Sequence, residues 1–425
     1  VNTLRGTRAR SADSTPSVSR SLRASLAPGA ATWVLAQQCA VRGLVALKFL
    51  AIGRILGPGA IGSVSVALLA VAIAESLSDT GLAQAVVQRP QAPARGELGA
   101  VLTALVARGV CVALVLLIAA PFMAAQFHLG GALLVQMAAA LPLARALASP
   151  SYYVAQRERR FAHIAAIEIG AALLDCCAGL AFALSGAGAY SVLAGMLLGE
   201  SLKSALSWLV FAPRPLLSPR WSGIGDYIDF SRWIWAGSVV NLVLNQFDKV
   251  VVGRMLGPAQ LGAYQMSSRL AQLLLADAAI ALAQYLFPTF AARYRTDANE
   301  AARLVKRWLV LGTCTVALVV VALRLLAMPL FAWVLGPQWL PAVPLFRIFV
   351  VNMALGALIA VLVAYLRARG DARAVAQASA MQVVVLIAIV PWAVHRWGAA
   401  GIAWGMTAGL ATAGLWMLYR TFSSR

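Results

Sequence analysis

The chain has 425 residues, 61% of them hydrophobic and only 12% charged, with a mean hydropathy of +0.81 and a formal net charge of +20. Soluble domains carry roughly 25% charged residues, so a water-soluble fold is excluded and lipid is the main solvent. Alternating strand patterns of the kind a membrane barrel requires are missing as well, which leaves an all-α membrane protein.

In chain order, residues 1–28 are rich in Arg and Ser and lack an apolar centre. They are expected to form a disordered basic tail in the cytoplasm rather than a cleavable signal peptide. Apolar runs of the ~20 residues that a membrane-crossing helix needs then recur at 30–54, 58–80, 98–122, 129–148, 163–184 and 187–211. A polar link at 212–232, rich in Pro, Ser and charge, separates these from runs at 233–254, 258–281, 305–327, 343–366, 374–394 and 399–419. The pattern predicts a six-helix bundle over 29–211, a cytoplasmic linker over 212–232, a second six-helix bundle over 233–420 and a cytoplasmic end at 421–425. With the N-terminus placed in the cytoplasm, nearly all basic residues outside the spans fall on that side. The opposite side keeps only Arg54, Arg254 and Arg396. This positive-inside asymmetry puts both termini in the cytoplasm and makes the net charge topological, so no nucleic-acid partner is expected. The five cysteines all lie within spans without a Cys-x-x-Cys pair, and neither disulfide nor metal site is indicated.

The two bundles repeat one another. Positions 53–62 read GRILGPGAIG and positions 253–262 read GRMLGPAQLG. In each copy Gly57 or Gly257 can end one helix and Pro58 or Pro258 can begin the next. Each copy is therefore read as a tight periplasmic turn between the first two helices of its bundle. Halves with an even number of spans share one orientation and are related by an axis along the membrane normal, a transporter architecture with the substrate site between halves.

Charges inside apolar spans cost ~2.5–3.5 kcal/mol each on insertion scales and usually face a bundle interior. Arg42, Lys48, Arg108, Lys203, Lys249 and Arg269 are the candidate basic lining of a hydrated cavity, whereas Arg145, Arg324 and Arg347 lie near span ends, where they can snorkel to headgroups. In the seventh span, Asn241, Asn245, Asp248 and Lys249 form one polar stripe. Its repeat-mate carries Lys48 opposite Asp248, so these two charges are expected to approach across the central cavity, as a gate or as a structural ion pair. The eighth span puts Gln265, Arg269 and Gln272 on one face. Glu200 and Lys203 can pair at i,i+3. Glu168 and Asp175 share a face of the fifth span, and Glu75 and Asp79 end the second. Asp248, Asn241, Asn245, Glu168, Asp175 and Glu200 are the gating or ion-coupling candidates. With no phosphate-binding GxxxxGK[ST] loop and no HExxH, neither a nucleotide engine nor an enzyme is expected.

The stretch DFSRWIWAGSVVNLVLNQFDKVVVGRMLGPAQLGAYQMSSRL (229–270) resembles the second-half signature of bacterial polysaccharide flippases, a family within the superfamily of multidrug and toxin extrusion (MATE) transporters. Its Asp248, the Gly253–Gly257 turn and Gly262-Ala263-Tyr264 carry the likeness. GRILGPGAIGSVSVALLAVAIAESLSDTGLAQAVVQRP (53–90), QRERRFAHIAAIEIGAAL (156–173) and VLGPQWLPAVPLFRI (334–348) resemble further segments of that family, in order and spacing. The resemblance implies a MATE-like pair of six-helix bundles in the bacterial inner membrane. It also implies alternating-access movement of undecaprenyl-diphosphate-linked oligosaccharide from the cytoplasmic to the periplasmic leaflet, for exopolysaccharide, capsule or O-antigen synthesis. It calls for no cofactor or metal, with proton or sodium coupling as the candidate driving force. Membrane lipids, a polysaccharide polymerase and a chain-length regulator are the implied partners. Three alternatives remain open: a multidrug antiporter of the same fold, a polysaccharide polymerase and a non-transporting assembly partner.

Overall fold

The computed structural model describes residues 28–88, 93–218 and 225–423. The Arg-rich tail up to residue 27, linker residues 219–224 and residues 424–425 lie outside the described residues. The helices are α1 (Pro28–Leu77), α2 (Leu82–Gln88), α3 (Arg95–Gln126), α4 (Leu133–Ala138), α5 (Ala140–Ala146), α6 (Ser151–Arg157), α7 (Phe161–Leu184), α8 (Tyr190–Val210), α9 (Gly225–Ala271), α10 (Asp277–Thr296), α11 (Ala298–Leu330), α12 (Val343–Ala368) and α13 (Ala372–Ser423). There is no strand among the described residues.

α1, α9 and α13 are each two legs joined at a kink, at Gly57, Gly257 and Gly398. With α4–α6 as one bent leg (59° across the break) and α10 continuing the second leg of α9, the described residues make twelve long helical legs, apart from the short α2. The fourth leg departs from the single helix expected at 129–148. Pro142 and Pro150 interrupt it, because proline removes a backbone donor and clashes with the preceding turn. The seventh leg starts at Gly225, inside the stretch expected as linker. The eighth runs on past residue 281, through a π-helical turn at Gln272–Ala276, to an exposed basic end at Arg293 and Arg295.

Lipid-facing surface is plain on α11, where Leu318, Val321 and Leu325 are exposed. No residue of its apolar window is buried. Such faces are stable only against hydrocarbon.

The repeated decapeptides define one end of the molecule. Gly57 (φ 77°, ψ 177°) and Gly257 (φ 82°, ψ 176°) leave the helix in a conformation that side chains with a Cβ rarely adopt, and Pro58 and Pro258 open the legs that follow. The two turns also pack on each other. A methyl group on Gly62 would overlap the Pro258 carbonyl, and one on Gly262 would overlap the Pro58 carbonyl. The contact is reciprocal, as a two-fold relation between halves demands. A second seal flanks it. Trp339, fully buried, donates its indole N–H to Gly53 O (2.9 Å), and Gln338 Nε2 donates to Arg54 O (2.7 Å). Arg54 in turn donates to the carbonyls of Trp333 and Val334 (3.2 Å to the latter). Ile52, Ile61, Val252, Leu261 and Phe346 fill the space below as one apolar cluster shared by both halves. This end is closed by packing.

Candidate functional site

Away from the interlocked turns, both legs of α1 and both legs of α9 line a cavity of about 510 Å³. Lys48, Glu75, Arg145 and Asp175 line it from the N-terminal half, and Gln246, Lys249, Gln265 and Arg269 from the C-terminal half. At its far end the halves touch through two side chains of α9: Trp235 Nε1 donates to Leu77 O (2.8 Å) and Ser238 Oγ to Asp79 Oδ2 (3.0 Å).

On the N-terminal wall the charges are paired. Lys48 is ion-paired with Asp175 and also donates to Val192 O (3.2 Å). Gly179 leaves room for its chain, since a Cβ there would stand 3.0 Å from Lys48 Cε. Arg145 holds two carboxylates at once, Glu75 through Nη1 (2.8 Å) and Glu200 through Nε (2.9 Å). Lys203 pairs with Glu168 (2.6 Å), which also accepts from the Tyr152 hydroxyl. Glu200 and Lys203 therefore do not pair with each other as expected from their spacing; each finds a partner on another helix, because tertiary contacts override an exposed-helix preference. Breaking one partner of a buried pair costs ~3–5 kcal/mol, whereas replacing both by apolar groups is often nearly neutral. Asp175→Asn is accordingly expected to lower thermal stability in detergent, and a Lys48→Met, Asp175→Leu double variant to recover most of the loss. Equal melting of all three proteins would show that the pair holds nothing.

The C-terminal wall is different. Lys249 donates to Asn245 O and to Gln246 Oε1 (3.1 Å), and Arg269 Nη1 to Gln272 Oε1 (3.0 Å). Neither makes an ion pair among the described residues. Both cations line the cavity, and the hydrogen bonds they donate go to neutral groups. Asp248 does not face it. Although next to Lys249 in sequence, it points into its own half, 5% exposed, and accepts from the Tyr264 hydroxyl (2.8 Å). Its second oxygen, Oδ1, is buried without a hydrogen-bond partner. The expected approach of Asp248 to Lys48 is thus corrected. Successive helical residues lie about 100° apart, so Asp248 and Lys249 serve different sides, and Lys48 has its carboxylate within its own half. Asn241 and Asn245 are exposed and bonded to each other along α9.

Of the arginines expected to line the cavity, only Arg269 does. Arg108 is held by Ser78 Oγ (3.1 Å) and Glu75 O (2.8 Å) in a neighbouring cleft, and Arg42 is exposed and lines neither space. Arg145, set aside as a snorkelling residue, is at the site. The Pro142 and Pro150 that flank it were the available signal, because a leg broken there turns a residue near its end inward.

The family described as "Polysaccharide biosynthesis protein" matches residues 51–344, more than half of the sequence. The chain belongs to this family. A protein of similar sequence is the lipopolysaccharide biosynthesis protein WzxC of Escherichia coli (strain K12), 26% identical over 276 residues, 61% of this chain and 54% of that protein. The chain thus spans about half the length of the curated relative it matches. Among solved structures it is similar to lipid II flippase MurJ in an inward closed conformation (TM-score 0.69, 12% identity, 91% of this chain and 87% of that one). It is also similar to an inward-facing multidrug resistance MATE family transporter of the MOP superfamily (TM-score 0.63, 15% identity, 89% and 94%). At these identities the likeness establishes the fold: a multi-pass, all-α membrane protein of MATE type, as the sequence led us to expect.

Proposed function

We propose that the protein moves a lipid-linked oligosaccharide, joined to its polyprenyl carrier by a diphosphate, from the cytoplasmic to the periplasmic leaflet of the bacterial inner membrane. The observation that carries this reading is the pair Lys249 and Arg269, facing the central cavity without a carboxylate. A guanidinium suits bidentate phosphate contact, and an ammonium adds a point charge. A cationic drug would need the opposite polarity, which argues against the antiporter alternative. Family membership and the names of WzxC and MurJ support the same substrate class. The positive-inside pattern supports cytoplasmic termini and places the glycine turns at the periplasmic face, so the cavity in this conformation belongs to the cytoplasmic side. Proton or sodium coupling is assigned to Asp248, whose half-satisfied carboxylate is the natural place for a cation. A polymerase and a chain-length regulator are the proposed partners downstream.

The test is transport of undecaprenyl-diphosphate-linked repeat units into proteoliposomes, counted per folded molecule. Each charged hydrogen bond lost is worth ~1.5–3 kcal/mol, so a Lys249→Gln, Arg269→Gln double variant is expected to lose transport by at least two orders of magnitude, on the order of 100-fold. Transport at the wild-type rate by that variant would refute the reading.

A further inference from the structure

A second cleft, of about 310 Å³, opens within the N-terminal half, between the end of α1, α3 and the broken fourth leg. Glu75, Ser76, Asp79, Arg108, Arg145 and Tyr153 supply its polar and aromatic lining. Glu75 and Arg145 belong to the central cavity as well, so their 2.8 Å ion pair is the wall that the two spaces share. A ligand long enough to occupy both must meet this pair at its middle.

The two spaces differ in chemistry. The C-terminal wall of the central cavity carries cations with neutral partners, a place for an anion. The cleft balances two carboxylates, Glu75 and Asp79, against two guanidiniums, Arg108 and Arg145, and adds a hydroxyl and a tyrosine ring. It has no excess charge with which to select a phosphate. It does present planar donors and acceptors on several sides, held in place by their own bonds: Arg108 to Ser78 and Glu75 O, Asp79 to the Gly81 N–H (3.0 Å) and to Ser238. Such a set suits a ligand with hydroxyls around its rim, each able both to donate and to accept. The half-buried Tyr153 ring offers an apolar face beside a polar tip. A pyranose has both properties, a rim of hydroxyls and an apolar C–H face.

We propose that this cleft is a sugar subsite. The substrate then lies across the molecule, its diphosphate on Lys249 and Arg269 of the C-terminal half and the sugar next to the diphosphate on the N-terminal half. The inference rests on the proposed function and adds to it a fixed orientation and a place where sugar identity is read. It also gives the Glu75–Arg145 pair a position against the glycosyl phosphate linkage, where Arg145 is offered to either the carboxylate or the phosphate.

The experiment measures binding to the full-length protein in nanodiscs, using two probes. One is undecaprenyl diphosphate without sugar; the other is undecaprenyl diphosphate carrying the repeat unit extracted from a host strain that lacks this protein. Tyr153→Leu removes the ring, and Ser76→Leu fills the cleft. Both are expected to weaken the sugar-bearing probe by ~10-fold or more and leave the bare diphosphate unchanged; retained binding of the bare lipid also shows that the variants are folded. Arg269→Gln is expected to weaken both probes. Loss of both probes alike in the cleft variants, or of neither, overturns the sugar subsite while leaving the function in place, provided Arg269→Gln still weakens both. Failure of the wild-type protein to bind either probe overturns the proposed function itself, and the subsite with it.

Discussion

Gly62→Val is expected to abolish transport while leaving a folded, membrane-inserted protein whose glycine-turn end is open. The reason is geometric. In the closed arrangement a side chain at residue 62 has no room, because even its first carbon would overlap the Pro258 carbonyl and stand 3.0 Å from the Gly262 nitrogen. Backbone on backbone cannot yield as a flexible side chain can, and overpacking already costs ~1–3 kcal/mol where neighbours are able to shift. The same valine is harmless within its own leg, since residue 62 has helical backbone and valine is no worse there than glycine. The penalty therefore falls on one conformation and not on folding. A transporter that works by alternation needs the closed state in every cycle, so a population shift away from it stops turnover. Gly262→Val is expected to behave in the same way, because the contact is reciprocal. Cysteine labelling at Lys249, with an added reporter and reagents confined to the side that the glycine turns face, reads the shift directly: reactive in the valine variants, protected in the parent. Parent-like transport and protection in both valine variants would mean that the glycine contact is not a gate.

This contact also shows what the sequence disclosed and where it stopped. The repeat at 53–62 and 253–262 was legible because it uses glycine and proline, whose backbone limits act locally, and the φ values at Gly57 and Gly257 bear out the turns. That the two turns interlock was not legible, since nothing in either decapeptide states what faces it. The charged residues divide along the same line. Their presence in apolar spans marked Lys48, Asp175, Glu168, Lys203 and Glu200 as interior groups, and all of them find polar partners there. Their pairing was hidden: Lys48 and Asp175 are 127 positions apart, and no periodicity links them. Asp248 and Lys249 were read as members of one stripe, yet a single helical step sends one into the bundle and the other into the cavity. The place of Arg145 is not legible from its distance to a span end, which measures depth in a straight helix and fails for a leg broken at prolines.

The division between Asp248 and Lys249 leads to a second large effect. Asp248→Asn is expected to tighten binding of the lipid diphosphate, to remove its dependence on pH and to stop net transport. The Asp248 carboxylate and the Arg269 guanidinium both lie within electrostatic reach of Lys249, so the charge on Asp248 tells on the proposed diphosphate site although it does not line the cavity. When that carboxylate is neutralised, the cations Lys249 and Arg269 act unopposed and hold a diphosphate more tightly. By linkage, a bound diphosphate favours neutralisation to the same degree. The structure holds that carboxylate sparsely: Tyr264 donates to Oδ2, Oδ1 is buried without a hydrogen-bond partner, and Lys249 spends its ammonium on Asn245 and Gln246. Asparagine keeps the bond to Tyr264 through its amide oxygen and imitates the neutral state permanently, so the substrate binds well and is released poorly. For the parent, affinity should rise as pH falls; for the asparagine variant it should be high and flat. Tyr264→Phe is the control. Loss of one hydrogen bond to a buried group costs about 1–3 kcal/mol, so this variant should move the transition along the pH axis without erasing it. If affinity follows sodium concentration instead of pH and asparagine abolishes that response, the same carboxylate is a sodium site. A pH dependence in Asp248→Asn identical to that of the parent, with equal transport per folded molecule, would leave Asp248 with a purely structural role, and the driving force would have to be sought among Glu168, Asp175 and Glu200 of the N-terminal half.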